Sequence, residues 1–396
     1  MKKNKIILCT ARYSDNLGDG IISDCTRELL NRSCPVSSVV DLDISGRTTF
    51  SLKDDKSCDV RSKLKNLVLN APDFVKYIIV VLLWFFISKK KLKKELESIL
   101  TDDVKFLVFG GGQLILDNFL SFPLKFSYIS KLANKKNIPI VVLGCGVGVK
   151  KSWLAEYFYK KAFSLNSFKS VFLRDTKSVK SFEARFGSSF SGKLGLTYDS
   201  ALYSSETYNI KKKKSGEKLI IGLGLSHPSE LKAGSTASHD FNFKKLANLW
   251  VELISKLNET NYEIVLYTNG SSEDELFLDK VYSHFCDNVT RLPRPKNPAE
   301  LIQNICRLDI TVSHRLHSSI ISTSLEIPSI GLTWDDKVLS FYKAIGRENF
   351  CLSGDNFTFV EIDEKIKSIL NMNTKTKICD LKQAMIQYTN DALKEI

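Results

Sequence analysis

The chain has 396 residues, 57 Lys and Arg against 44 Asp and Glu, a formal net charge of +13, and 43% hydrophobic residues. That length accommodates two domains, and the apolar share is that of an ordinary globular protein with no internal repeat or long low-complexity segment. The positive balance calls for an anionic partner or surface, and nucleic acid is set aside because neither zinc-finger spacing nor an RNP-type aromatic motif occurs.

The nine cysteines are scattered without a Cys-x-x-Cys pair, and several, such as Cys9 and Cys145, fall in apolar strands. This usage is that of a reduced, cytosolic chain and excludes a disulfide framework. The opening residues imitate a signal peptide, but the apolar core is too short and runs into Arg12, so 5–11 reads as a first strand and the chain is expected on the cytoplasmic side. The loop Asn16-Leu17-Gly18-Asp19-Gly20 follows. Then comes a helical pattern with Ile21, Ile22, Cys25, Leu29 and Leu30 on one face. The loop has neither the dinucleotide Gly-x-Gly-x-x-Gly nor the P-loop Lys-Ser/Thr pair. Asp19 either caps this helix or acts on a substrate hydroxyl.

A second strand is expected at 36–42 and a variable loop at 45–72. The unbroken apolar run 77–87 then leads into a lysine cluster at 89–94. A simple transmembrane helix needs about 20 apolar residues, and this run is shorter. It is either a core helix with a basic exit or a monotopic segment dipping into an anionic leaflet. The clustered aromatics and lysines favour the membrane reading. Strand 106–109 feeds Gly110-Gly111-Gly112, where backbone can approach a ligand closely or simply make a tight turn. Asp117 follows. Strand 140–143 ends in Gly144-Cys145-Gly146-Val147-Gly148, an amphipathic helix covers 152–165, and strand 171–173 ends in Arg174-Asp175. Arg174 there either binds an anion or pairs with Asp175 or another carboxylate. Asp199 stands after a further short strand.

The polar stretch 211–218 reads as an interdomain linker. A second strand–helix series begins with strand 219–223, ending at His227-Pro228, and continues with helix 241–257, strand 264–267 and helix 273–285. After a proline-rich loop, Asn297-Pro298-Ala299-Glu300 is a helix start with a cap, Pro in the first turn and Glu at N3. An apolar strand, 310–312, then hands over to His314-Arg315-Leu316-His317 at the start of a small-residue helix. Open α/β sheets put ligand sites at such strand ends. Helix N-termini favour anions, an Arg fork matches carboxylate or phosphate, and His317 can move a proton near neutral pH. A zinc reading of His314 and His317 lacks further ligands nearby and lacks His-Glu-x-x-His, so no metal is assigned. A strand at 328–332 and helices at 361–370 and 379–395 complete the chain. The expected architecture is α/β, two Rossmann-like domains facing a cleft with closing C-terminal helices. The first domain spans 1–210 with a possible membrane-contacting insert around 73–100, the linker 211–218, the second domain 219–358, and the closing helices 359–396.

Asn16-Leu17-Gly18-Asp19, Phe109-Gly110-Gly111-Gly112, Gly144-Cys145-Gly146-Val147-Gly148, Arg174-Asp175, Asp199-Ser200-Ala201, His314-Arg315-Leu316-His317 and Ile327-Pro328 leading to Asp336-Lys337-Val338 occur in that order. As an ordered set the chain resembles the polysaccharide pyruvyl transferase family over most of its length. The resemblance implies a fold like that of GT-B glycosyltransferases. It also implies transfer of pyruvyl from phosphoenolpyruvate to sugar hydroxyls, often as a cyclic ketal on a surface polysaccharide or its lipid-linked precursor, with no cofactor beyond phosphoenolpyruvate as co-substrate. The chain departs from the pattern after 219–223, where family members often carry Arg and His227-Pro228 stand here. For that chemistry, His317 and Asp19 are the catalytic candidates. Arg315, Arg174, His314, Gly111 and Gly112 are candidates for the donor, and Asn16, Asp117 and Asp199 for the acceptor. The implied partners are phosphoenolpyruvate, a glycan acceptor that is often lipid-linked, and an anionic membrane surface on the inner face. Two other classes compete: a nucleotide-sugar glycosyltransferase of the same architecture, and a non-catalytic membrane-associated scaffold.

Overall fold

The computed structural model describes residues 4–50, 72–148, 152–213, 216–234, 240–285, 289–370 and 378–396. Most of the expected variable loop 45–72 and part of the lysine run 211–214 lie outside them. The described chain is divided between two compact units, each built on one six-stranded sheet.

The first unit comprises residues 1–14, 22–200 and 383–396. Its strands are β1 (Lys5–Thr10), β2 (Ser38–Asp43), β3 (Val104–Gly110), β4 (Ile140–Cys145), β5 (Phe168–Leu173) and β6 (Lys193–Leu196), all parallel in the order β2-β1-β3-β4-β5-β6. A parallel sheet is covered on both faces, which is why its strands read as continuous apolar runs. Period-two alternation sorts the side chains. Ile7, Cys9, Leu107, Phe109 and Val142 join one core, while Ile6, Leu8, Phe106, Val108 and Val141 join the other. The first core is rich in aromatics, with Phe109 stacked on Phe126 at 4.1 Å and Phe163 edge-on to Phe182. The second is closed by the end of the C-terminal helix Ile378–Leu393, where Ala392 is buried and its carbonyl accepts from Ser170 Oγ at 2.6 Å.

The second unit comprises residues 15–21 and 201–382. Its strands are β7 (Ile220–Gly224), β8 (Glu263–Tyr267), β9 (Thr290–Arg291), β10 (Ile310–Ser313), β11 (Ser329–Thr333) and β12 (Cys351–Ser353), parallel in the order β12-β11-β10-β7-β8-β9. The edge strands β9 and β12 are too short to show a period, and the sequence reading contains neither. The order reverses between β7 and β10, so the segments leaving those two strands, Leu225-Ser226-His227 and His314-Arg315, emerge at the switch point where such sheets hold ligands. The helix Pro298–Ile305 starts as its local signal demands: Asn297 Oδ1 accepts from Glu300 N at 3.0 Å, and the Glu300 carboxylate reaches back to Lys296 N at 2.8 Å.

The units are not consecutive halves of the chain. The division falls after Ser200, and residues 15–21, the 16–19 loop included, belong to the second unit.

Candidate functional site

In the second unit β10 delivers its chemistry through a short hinge. Ser313 Oγ donates to the Gly224 carbonyl at 3.1 Å and accepts from Arg315 N at 3.1 Å, which ties the end of β10 to β7. A Cβ at Gly224 would stand 2.5 Å from that oxygen, so this strand end admits only glycine. Arg315 is the N-cap of the Leu316–Ser324 helix, all of whose residues are buried. The first amides of this helix therefore lie in a region from which water is largely removed, where an anion gains most from them.

The two histidines of the motif part company. His314 turns into the core. One ring nitrogen, Nε2, lies 2.7 Å from the Gly354 carbonyl, and the ring sits among Trp250, Phe241 and Phe357 at 5.7–6.1 Å. Its own carbonyl accepts from Trp334 Nε1 at 2.6 Å. Burial, aided by the neighbouring Arg315 charge, pushes its pKa down to about 4, so it carries no charge at neutral pH. An uncharged ring in that cage supports the packing and offers an anion no charge. His317 lies in the first turn of the helix and stands against the 16–19 loop: a Cβ added to Gly18 would come 2.2 Å from His317 Nδ1.

The segment 16–19 reads as a loop in the sequence, but from Leu17 onward it is the first turn of the Leu17–Ser33 helix, and it is held by contacts within the second unit. Leu17 N donates to the Asn269 carbonyl at 3.3 Å, and Gly18 N to Asn16 Oδ1 at 3.3 Å. Asn16 thus supplies the bond at the start of the Leu17–Ser33 helix, while Asp19 stands in its first turn. Gly270, at φ +96, is where Leu17 rests, and a Cβ there would meet the Leu17 side chain at 2.7 Å. Asn269 connects both parts, since its Oδ1 accepts from Ser318 Oγ at 2.7 Å. Its Nδ2 is buried with no partner among the described residues. Asn16, Gly18, Asp19, Asn269, Arg315, His317 and Ser318 are therefore brought together, although their positions in the chain are far apart.

Arg315 is already committed to a carboxylate. Nε donates to Asp274 Oδ2 at 2.9 Å and Nη2 to Asp274 Oδ1 at 2.8 Å, a two-pronged pair on a carboxylate that is 0% exposed. Burial works against the guanidinium charge, but Asp274, with Glu230 and Asp19 further off, more than offsets it and holds the pKa above the usual arginine value. Asp274 also accepts from His227 N at 2.8 Å. This is the structural place of His227. Its backbone completes the Asp274 shell, its Nδ1 lies 2.6 Å from Ser229 Oγ, and burial depresses its pKa. Sequence reasoning passed over Asp274 because it reads as one of three acids in a helix's first turn.

The remaining candidates lie in the first unit and form two groups. Arg174 is buried, donates from Nη1 to Asp199 Oδ2 at 2.9 Å and lies 3.7 Å from Asp175. Asp175 is occupied as the cap of the Thr176–Phe186 helix, accepting from Ser178 N at 2.7 Å. A Cβ on Gly146 would sit 2.9 Å from Arg174 Nε, so that glycine makes room for the guanidinium. Gly111 and Gly112 both have positive φ. Gly111 N donates to the Leu143 carbonyl and Gly146 N to the Gly112 carbonyl, stitching the two glycine loops together. Cys145 Sγ lies beneath them, 3.5 Å from the Phe109 carbonyl, with its thiol pushed up to about 12 by burial. Asp117 is apart from this group: Oδ2 accepts from Tyr77 OH at 2.6 Å and Oδ1 from Leu120 N at 2.9 Å, so it ties the 73–99 insert to the unit.

Residues 16–336 match the profile of the polysaccharide pyruvyl transferase family, a span covering most of the chain and both groups of residues. The chain belongs to that family. No curated protein matches it. Among solved structures, it is similar to a UDP-N-acetylglucosamine 2-epimerase from Rickettsia bellii (12% identity, TM-score 0.54, covering 99% of this chain and 99% of that one). It is also similar to a UDP-GlcNAc 2-epimerase from Methanocaldococcus jannaschii (11% identity, TM-score 0.52, covering 95% and 94%). A third is a UDP-glucosyltransferase from Polygonum tinctorium (10% identity, TM-score 0.51, covering 100% and 98%). At such identities the likeness concerns the fold, a two-domain α/β architecture of the GT-B kind. Membership in the pyruvyl transferase family makes the chain a transferase.

Proposed function

We propose that the protein transfers the pyruvyl group of phosphoenolpyruvate to a pair of hydroxyls on a sugar of a surface polysaccharide or its lipid-linked precursor, forming a cyclic ketal. The observation that carries this reading is the meeting, inside the second unit, of the 16–19 loop with His317 and the buried start of the Leu316–Ser324 helix. Phosphoenolpyruvate presents a carboxylate and a phosphate. Arg315 and Arg174 each face a carboxylate partner already, which offsets much of the charge they offer. The helix amides, the Asn269 amide and His317 therefore take the larger share of anion binding, with Arg315 held rigidly beside them.

In the reaction, a proton reaches the methylene carbon and turns it into a methyl group. One sugar oxygen bonds to C2, the C2–O bond to phosphate breaks, and the second sugar oxygen closes the ketal. Of the two hydroxyl protons released, one balances the new methyl group and the other leaves with phosphate. His317 is the acid for the carbon or the departing phosphate. Asp19, with Asn16 beside it, orients and deprotonates the acceptor.

The test is isothermal titration and acceptor-dependent phosphate release with phosphoenolpyruvate, run beside UDP-, GDP- and CMP-sugars. Binding and turnover of phosphoenolpyruvate are expected. Binding of a nucleotide sugar without phosphoenolpyruvate would transfer the assignment to a glycosyltransferase of the same architecture.

A further inference from the structure

The insert between β2 and β3 is firmly anchored on one side and bare on the other. The helices Asp73–Leu83 and Lys89–Ile99 are joined by a π turn, Trp84–Ser88. Tyr77 and Val81 pack against the first unit's core, and Trp84, Leu92, Leu96 and Leu100 are buried in it, Trp84 edge-on to Tyr128 at 5.6 Å. The other face carries Phe74, Ile78, Leu82 and Phe85 at helical spacing, with Leu83, Phe86 and Ile87 beside them, and every one is exposed, Phe86 to 71%. Trp153, 74% exposed, is a further large apolar side chain that the first unit leaves open. Directly after the apolar side chains come Lys90, Lys91, Lys93 and Lys94, all exposed, and Lys89 lies over the Phe85 ring at 5.7 Å.

A contiguous apolar face of this extent marks an interaction site. No helix among the described residues is long and apolar enough to cross a membrane. We propose that this face docks on an anionic lipid bilayer, with Phe74, Ile78, Leu82, Phe85, Phe86 and Ile87 entering the acyl boundary and the lysines meeting the headgroup phosphates. Charge complementarity selects this occupant. An apolar face with a basic rim at one end matches the two layers of an anionic leaflet, acyl boundary and headgroup phosphates. The inference stands apart from the pyruvyl-transfer reading and fails or holds without it.

The experiment is flotation of the full chain with phosphatidylcholine vesicles, with and without phosphatidylglycerol, at low and high salt. Wild type binds the anionic vesicles, loses much of that binding in high salt, and keeps a weak residue on neutral lipid. The variant Phe85→Ser/Phe86→Ser/Ile87→Ser leaves Trp84 in place, unfolds at the wild-type temperature and loses the residue on neutral lipid. The variant Lys90→Gln/Lys93→Gln/Lys94→Gln keeps that residue and binds anionic vesicles on the order of 100-fold less. Failure of wild type to bind either vesicle overturns the proposal, as does wild-type binding by both variants. Unfolding of the Ser variant would assign the face to packing. A concentration-dependent dimer abolished by the Ser variant, with vesicles ignored, would assign it to a second copy.

Discussion

Arg315 gives Nε and Nη2 to Asp274, which is buried and, among the described residues, has no other cation so close. Replacing Arg315 with Ala strands that carboxylate, and breaking such a pair costs about 3–5 kcal/mol. Urea denaturation of Arg315→Ala is expected to show that loss, with part of it recovered when Asp274→Asn is added. A fall in phosphoenolpyruvate affinity in the single variant is informative only beside that measurement. His314 gives a pH signature. Its folded pKa, about 4, lies below the ordinary 6.5. The unfolded chain therefore takes up the proton first as pH falls. The stability due to the neutral ring is complete above about 6.5 and is lost as pH drops toward 4, by about 3 kcal/mol in full. Wild-type stability should fall more steeply than that of His314→Phe across this window, since that variant has no ring to protonate. Equal slopes would remove the histidine from the account.

At the scale of elements, the first turn of the Leu17–Ser33 helix and the first turn of the Leu316–Ser324 helix share one steric condition. Gly18→Ala puts a methyl group where His317 Nδ1 stands. The added carbon would also stand 2.6 Å from His317 Cβ, so the imidazole is displaced at an overpacking cost of about 1–3 kcal/mol, against about 1 kcal/mol gained from alanine's helix preference, and the midpoint of unfolding should fall modestly. Turnover is then expected to drop about 100-fold, in the range for loss of a general acid. His317→Gln should give a loss of about 10²–10⁴ and flatten the limb of the pH–rate profile that the imidazole controls. If both variants keep wild-type turnover, the loop contact is structural. The π turn poses a different condition. Trp84 is 6% exposed and its neighbours Phe85 and Phe86 are exposed. Trp84→Ala should cost about 3–5 kcal/mol through the cavity it opens, against about 0.5 kcal/mol or less for Phe86→Ser, both read by chemical denaturation.

For the molecule as a whole, the proposed donor phosphoenolpyruvate, an anion with a carboxylate and a phosphate, would shift the unfolding equilibrium by mass action on binding the folded chain alone. At free phosphoenolpyruvate about 100 times its dissociation constant, the gain is about 2.7 kcal/mol. A thermal scan should show a higher transition temperature, and His317→Gln combined with Asn269→Leu should abolish the rise. The +13 net charge raises the local concentration of such an anion, so the association rate should fall with ionic strength more than the dissociation rate rises.

The sequence by itself determined the features whose cause is local or periodic. The Asn297 cap is written in four consecutive residues and appears as read. Continuous apolar strands followed by amphipathic helices implied two parallel α/β sheets, because only strands covered on both faces read that way. Tertiary structure decided what depends on partners far along the chain. Asp274 is 41 positions from Arg315, and nothing in its own turn distinguishes it from Glu273 or Glu275. His314 and His317 are equivalent in composition, yet three positions along a strand-to-helix turn point one into an aromatic cage and the other at Gly18. The run 77–87 is uniformly apolar, so no polar residue marks a face. Only the insert's docking through Tyr77, Val81 and Trp84 decided which side chains are buried and which are left to meet another surface.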